Sequence, residues 1–254
     1  WLNCDPNQLK IAIKHINHFG RKKGERGLPK LLPGLNFIAG LNGETKKSYD
    51  LNLKLLHDLR SEGLLLRRIN IRQVEGQGFQ KISENDFKSF KKKVREEIDR
   101  PLLEEIFPIG SELSKIWWES QGDRIRRPEQ VEEPLYRSSS IHGKSGITFG
   151  RQIGAYPILV GVPYLIPLET SSNIIVTGHG MRSISGVEIG LDINSVSQQQ
   201  LESIPGIGKK AAWRIISSRA KASRSSKIPF NSVEMAFEMA QVDLSPIAEK
   251  VLSI

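Results

Sequence analysis

Cysteine is almost absent from this chain of 254 residues: Cys4 stands alone. One thiol excludes an internal disulfide framework and fits a reducing cytoplasm, which is the expected compartment. No stretch approaches the ~20 consecutive apolar residues that span a bilayer. No Gly-x-Ser-x-Gly elbow, Walker loop or HExxH zinc motif occurs. Histidines are few and scattered. His15 and His18 lie three apart on a helical stretch, but no carboxylate or cysteine completes a metal set beside them, and His57, His142 and His179 stand apart. The chain opens at Trp1 without an initiator Met or a signal-like segment, as expected of a piece cut from something longer. Acid is also in deficit. Lys and Arg total 37 against 28 Asp and Glu, for a net charge of +9. Such an excess favours a polyanionic partner.

What is present is most informative at Ile204-Pro205-Gly206-Ile207-Gly208-Lys209-Lys210. This stretch separates two segments that read as helix. The first runs from Ser197, a natural cap, to Ser203. The second runs from Lys209 to Arg219, with Ala211, Ala212, Ile215 and Ile216 at helical spacing. Two glycines around one apolar residue predict a tight turn that a partner can approach closely. The next helix begins there, so its unpaired amides and positive dipole end face whatever lies in front. Lys209, Lys210, Arg214, Arg219, Lys221, Arg224 and Lys227 follow with no intervening acid. Phosphate is the expected ligand of Gly206, Ile207, Gly208, Lys209, Lys210 and Arg214; a plain glycine link between packed helices is the alternative.

The first hundred residues read as alternating helix and strand. Helix is predicted over Asn7–Phe19, with Leu9, Ile13, Ile16 and Phe19 on one stripe, and over Thr45–Glu62, with Leu51, Leu55, Leu56 and Leu59, ended by Gly63. Strand is predicted over Leu35–Ala39 and Arg68–Val74. Short links between such elements imply a parallel sheet with helices outside, and ligands of such folds gather at the carboxyl ends of the strands. Gly40–Glu44 and Arg72–Glu75 would form that rim. A charged helix is predicted over Phe87–Ile98, broken by Pro101. Strands are expected at Glu112–Glu119, Ile147–Ile153, Pro157–Val162 and Asn173–Thr177, forming a small antiparallel barrel. An exposed loop covers 121–143.

Three resemblances attach to these words. From Leu191 to the C-terminus the chain resembles the helix-hairpin-helix family, which grips nucleic-acid backbones without reading sequence. Leu191-Asp192-Ile193-Asn194 is similar to the lead-in of its paired hairpins, and Pro229-Phe230-Asn231-Ser232 to their link. The second hairpin departs: Val242-Asp243-Leu244-Ser245-Pro246 has no glycine and carries an acid, so it reads as a packing partner of the first. Leu32 to Thr45, with Gly40-Leu41-Asn42-Gly43-Glu44-Thr45, and Leu64 to Val74 resemble the late barrel of radical S-adenosylmethionine enzymes, among them an archaeal group that also ends in hairpin helices. Asn42 stands where proline is usual, and Asn is itself a good turn residue. Gly146 to Pro157 resembles, more weakly, the TRAM-type barrel appended to methylthiolating radical enzymes, where Arg151 and Tyr156 would contact RNA.

The resemblances imply an α/β chain in three parts: a partial TIM-like radical SAM barrel over 1–100, a small TRAM-like β domain over 101–190 and an all-α helix-hairpin-helix domain over 191–254. They place S-adenosylmethionine against Ile38, Gly40, Gly43, Glu44, Arg72 and Val74. The family's 4Fe–4S cluster needs three closely spaced cysteines, which this chain lacks, so its ligands are expected upstream. The implied function is the C-terminal part of a radical enzyme that presents nucleic acid, DNA or RNA, for modification. A non-catalytic binding module with a vestigial half barrel is the alternative, and no catalytic residue is assigned.

Overall fold

The computed structural model describes residues 5–74, 76, 79, 83–123, 146–154, 157–223 and 229–254. The chain divides into two compact units near Phe107 and Pro108.

In the first unit, α1 (Pro6–Gly20) starts at Asp5, whose carboxylate accepts the Asn7 amide at 3.1 Å. Its inner face is set by Ile13 and Asn17. The buried Asn17 amide donates to Ile13 O and Leu65 O, and its carbonyl accepts from Leu65 N at 2.8 Å, which fastens the helix to the segment before the next strand. Phe19, expected on the apolar stripe, is instead 73% exposed. The helix turns Asn17 and Gly20 inward, and Phe19 lies on the opposite side.

Two strands, β1 (Gly34–Ala39) and β2 (Arg68–Gln73), pair in parallel from Gly34 opposite Arg68 to Ala39 opposite Gln73. They are joined through α2 (Lys46–Ser61), which ends before Gly63 at φ +68. Tyr49, Leu56 and Leu59 form its buried face, whereas Leu51 is exposed. Tyr49 stacks on Phe90, which in turn meets Phe37 edge-on.

The expected break at Pro101 does not occur. Helix α3 (Glu84–Lys93) passes through a π-helical segment (Val94–Asp99) into α4 (Arg100–Ile106). The wider turn lets the Arg100 amide bond back to Arg95 O, and the carbonyl of Glu97, four residues before Pro101, accepts from Arg60 at 3.2 Å in place of the missing proline N–H. Arg95 is not part of a solvated charged face. It donates to Ile69 O at 2.9 Å and pairs with Asp99, both side chains being largely buried.

The second unit begins with a closed five-stranded barrel. Its strands are β3 (Glu112–Asp123), β4 (Gly146–Gln152), β5 (Leu159–Val162), β6 (Ser171–His179) and β7 (Ser183–Glu188), closed in the order β3-β4-β5-β7-β6. Neighbours are antiparallel except β5 and β7, which pair in parallel. The sequence reading missed β7, since Ser183, Ser185 and Gly186 mask its period.

Trp118 fills the barrel, its indole N–H on Ser172 Oγ at 2.9 Å. The neighbouring Trp117 faces outward. Gly150 makes this possible, because a Cβ there would lie 2.5 Å from Trp117 O and 2.6 Å from the Trp118 ring. Buried Thr148 accepts from Ile166 N and donates to Tyr164 O.

The C-terminal part lies between two short strands, β8 (Leu191–Asp192) and β9 (Leu252–Ser253), paired in parallel. Between them run α5 (Gln198–Glu202), α6 (Lys209–Ala222), α7 (Val233–Ala240) and α8 (Pro246–Val251). Gly190 N bonds Val251 O, Gln199 reaches Pro163 O, and Lys250 pairs with Glu112 at 3.3 Å, which ties this part to the barrel. Among the described residues no helix is long and apolar enough to cross a membrane.

Candidate nucleic-acid interface

The turn singled out in the sequence is built by the helices on either side of it. Ser197 and Gln200 close the start of α5 reciprocally: Gln200 N donates to Ser197 Oγ at 3.2 Å and Ser197 N to Gln200 Oε1 at 2.9 Å. The chain leaves α5 through Ile204 N on Leu201 O, then Ile207 N on Ile204 O. Ile204 and Ile207 are buried and anchor the turn from below. Gly206 stands at φ +92, a left-handed conformation that a side chain resists.

The start of α6 differs from those of five of the other helices. Side-chain oxygens of Asp5, Ser83, Ser197, Ser232 and Ser245 cap α1, α3, α5, α7 and α8. Helix α6 has Gly208 at that place, at φ −81 and ψ 172, with no side-chain cap. Its first intrahelical bond is Ala212 N on Gly208 O, so the preceding amides have no partner among the described residues. Nothing lies within 4 Å of where a Gly208 Cβ would be. Packing therefore does not demand glycine there, and a side chain at this position would meet open space. Lys209 and Lys210 follow, exposed and without an ion pair among the described residues. Unpaired amides at the positive end of a helix dipole, with two exposed ammonium side chains next to them in sequence, are chemically suited to an anion.

The other cations of the run part company. Arg214 is exposed and donates to Gln241 O at 3.3 Å. Arg219 turns inward, donating to Ile193 O and Val196 O, and burial holds its guanidinium below the usual range despite the nearby Asp192. It is a brace of the fold and not part of the basic face. Arg224 and Lys227 lie outside the described residues.

The second helical pair supports the first. Gln241, in the left-handed conformation at φ 53, ends α7. Ser218 Oγ donates to Met239 O, and Ser245 Oγ lies 3.4 Å from Pro205 O, directly behind Gly206. A cleft beside this second turn is lined by Glu234, Glu238 and Asp243 with Phe237, Val242 and Leu244. Three carboxylates there repel phosphate.

In the other unit, the strand-end residues come together as expected. Ile38 is opposite Arg72, Ala39 is opposite Gln73, and Val74 N donates to Ala39 O at 2.9 Å. Gly40 at φ 97 and Gly43 at φ 83 shape the turn between them and α2. The Glu44 carboxylate folds back to accept from the amides of Gly40 and Leu41 at the mouth of this turn. Ile38 and Val74 are half-buried and Arg72 is exposed, so the rim presents apolar surface with a cation beside it.

On the barrel, Arg151 is paired with Glu119 at 2.8 Å, so its charge is compensated across the β3–β4 ladder. Tyr156 lies outside the described residues. His15 and His18 are exposed, and among the described residues no three His, Cys, Asp or Glu side chains gather as a metal site.

No family model matches the chain. It is similar to an uncharacterized protein of Archaeoglobus fulgidus, 36% identical over 224 residues, which is 84% of this chain and 38% of the relative. It is also 35% identical over 192 residues to an uncharacterized protein of Methanocaldococcus jannaschii, covering 71% of this chain and 32% of that relative. The chain thus spans about a third of the length of these archaeal relatives.

Proposed function

We propose that this chain is the nucleic-acid-gripping C-terminal part of a radical S-adenosylmethionine enzyme that modifies nucleic acid, RNA above all. Its helical end belongs in this reading to the helix-hairpin-helix type and its small barrel to the TRAM type. The observation that carries the binding half is the uncapped start of α6, where Gly208 leaves the helix amides open between Lys209 and Lys210. Backbone amides and point charges recognise a phosphate but no base edge, so the grip is independent of sequence. Arg214 extends it, and Arg151, released from Glu119, and Tyr156 are secondary contacts in this reading.

The enzyme half rests on the parallel β1–β2 pair and the rim at its carboxyl ends. Ile38 and Val74 offer apolar surface to an adenine ring, Arg72 a cation, and Gly40, Gly43 and Glu44 the turn that closes the edge. S-adenosylmethionine, when bound, supplies the radical chemistry. The residues of this chain do not fit an iron–sulfur cluster, since Cys4 is the only cysteine. In this reading its ligands would come from sequence outside this chain, which spans about a third of its relatives' length.

Fluorescence anisotropy of labelled duplex DNA and RNA at several salt concentrations tests the grip. Neutralising roughly two to four phosphates gives a salt slope of about −2 to −4 on duplex DNA. Lys210→Glu should weaken binding to all sequences alike and flatten the slope. Unchanged affinity and slope in that variant would remove the phosphate site.

A further inference from the structure

Trp213 is 62% exposed, whereas Trp118 is fully buried, and tryptophan is among the side chains proteins bury most. It lies on α6, whose inward face is set by Ala212 and Ile215. On the outward face it is one helical turn beyond Lys209 and Lys210 and next to Arg214 in sequence. Among the described residues no aromatic ring pairs with the indole and no cation sits over it. The described residues therefore display a bare indole beside the exposed Lys209, Lys210 and Arg214. Four residues of helix rise put it about 6 Å along the axis from Lys209. That is the scale separating the phosphate and the base of one nucleotide.

We propose that Trp213 is a stacking surface for an unpaired nucleobase, so that the α6 site prefers single-stranded or frayed nucleic acid to a continuous duplex. The inference rests on the phosphate reading of Gly208, Lys209 and Lys210. In a duplex the base faces are already covered by their neighbours, and only a strand end, a mismatch or a single strand can offer one to the indole. Every base has a π face, so stacking adds a preference for strandedness without adding a sequence preference. The surrounding charge favours a polyanion over an apolar protein partner as the occupant.

The test uses the whole chain with oligothymidylate, oligouridylate and a blunt hairpin duplex. Trp213→Ala should weaken single-strand binding about tenfold and duplex binding by less than about twofold. Trp213→Phe keeps an aromatic ring and should retain most single-strand affinity. It should also abolish the quenching of tryptophan emission that single strands cause in the parent chain. Comparison of the thymidylate and uridylate arms tells a DNA occupant from an RNA one. Equal loss on duplex and single strands in Trp213→Ala, or quenching that persists in Trp213→Phe, would overturn the proposal. Lys210→Glu separates the two readings. If it weakens both substrates while Trp213→Ala changes neither, the stacking role falls and the phosphate site stands. If Lys210→Glu changes neither, both fall.

Discussion

Asn194 and Phe230 hold each other by two hydrogen bonds across 36 residues of chain: the Asn194 amide donates to Phe230 O at 3.1 Å, and its carbonyl accepts from Phe230 N at 2.9 Å. The first residue belongs to the lead-in of the helical part and the second to the link between its two helical pairs. A side-chain amide is the natural bridge, because it carries a donor and an acceptor side by side, as a backbone strand does. Phe230 is fully buried, so this bridge fixes where the second pair stands behind the Gly206 turn.

Asn194→Ala should therefore cost about 1–3 kcal/mol, since two backbone groups near a buried ring lose their partners. Asn194→Asp keeps the acceptor alone and should fall between the alanine variant and the parent. Urea unfolding followed by tryptophan emission measures both, because Trp117, Trp118 and Trp213 all lie in this unit. A loss below about 0.5 kcal/mol in the alanine variant would show that water replaces the bridge without penalty.

The barrel carries a pH-dependent group at Glu188. Burial pushes its carboxyl above the usual carboxylate range, and a hydrogen bond from Ser172 pulls partly the other way. A carboxyl whose folded-state pKa is raised binds its proton more tightly in the native chain. Its contribution is therefore full below the ordinary carboxylate range and is lost as pH rises through the raised value. Glu188→Gln should accordingly stabilise the chain near pH 7 and change little near pH 3.5, where the parent side chain is also neutral. Denaturation midpoints at the two pH values decide it. A glutamine variant less stable than the parent at pH 7 would mean that the ionised carboxylate is held favourably.

The order helix, strand, helix, strand of the first unit was legible because each stop signal had a local cause, as at Gly63 with its positive φ. The rim was legible for the same reason: Gly40 and Gly43 both take left-handed angles. What escaped the sequence was decided by contacts distant along the chain. Asn17 is buried because Leu65, 48 residues on, supplies both of its backbone partners, so the stripe ending in Phe19 was drawn one face too far round. Pro101 was read as a break because the π-helical segment before it has no sequence signature of its own. The run of cations after Gly208 carries no sign of which side chains face outward, and Arg219 turns inward to carbonyls of Ile193 and Val196. Trp213 went unremarked since a single aromatic on a helix gives no hint of which way it faces. Burial at Ala212 and Ile215 settles that only once the second helical pair is in place.

Gly208 allows stability and binding to be set against each other. Its φ and ψ are those of an ordinary cap residue, and open space lies where a side chain would go. Serine or aspartate fits there without strain and would bond the amides now left open. Gly208→Ser should stabilise the fold by a few tenths of a kcal/mol, and Gly208→Asp by up to about 1 kcal/mol, since its charge also complements the helix dipole. Both should weaken nucleic-acid binding, because the new oxygen occupies the amides that a phosphate would use. Aspartate should be the worse binder, as it adds repulsion beside Lys209 and Lys210. Gly206→Ala makes the contrast: at φ +92 a Cβ strains the backbone, so that variant should lose about 1 kcal/mol or more of stability along with binding. The measurements are urea midpoints and anisotropy titrations on the same three variants. A glycine kept at Gly208 for packing would make the serine and aspartate variants less stable than the parent. A glycine kept there for a ligand makes them more stable and poorer at binding.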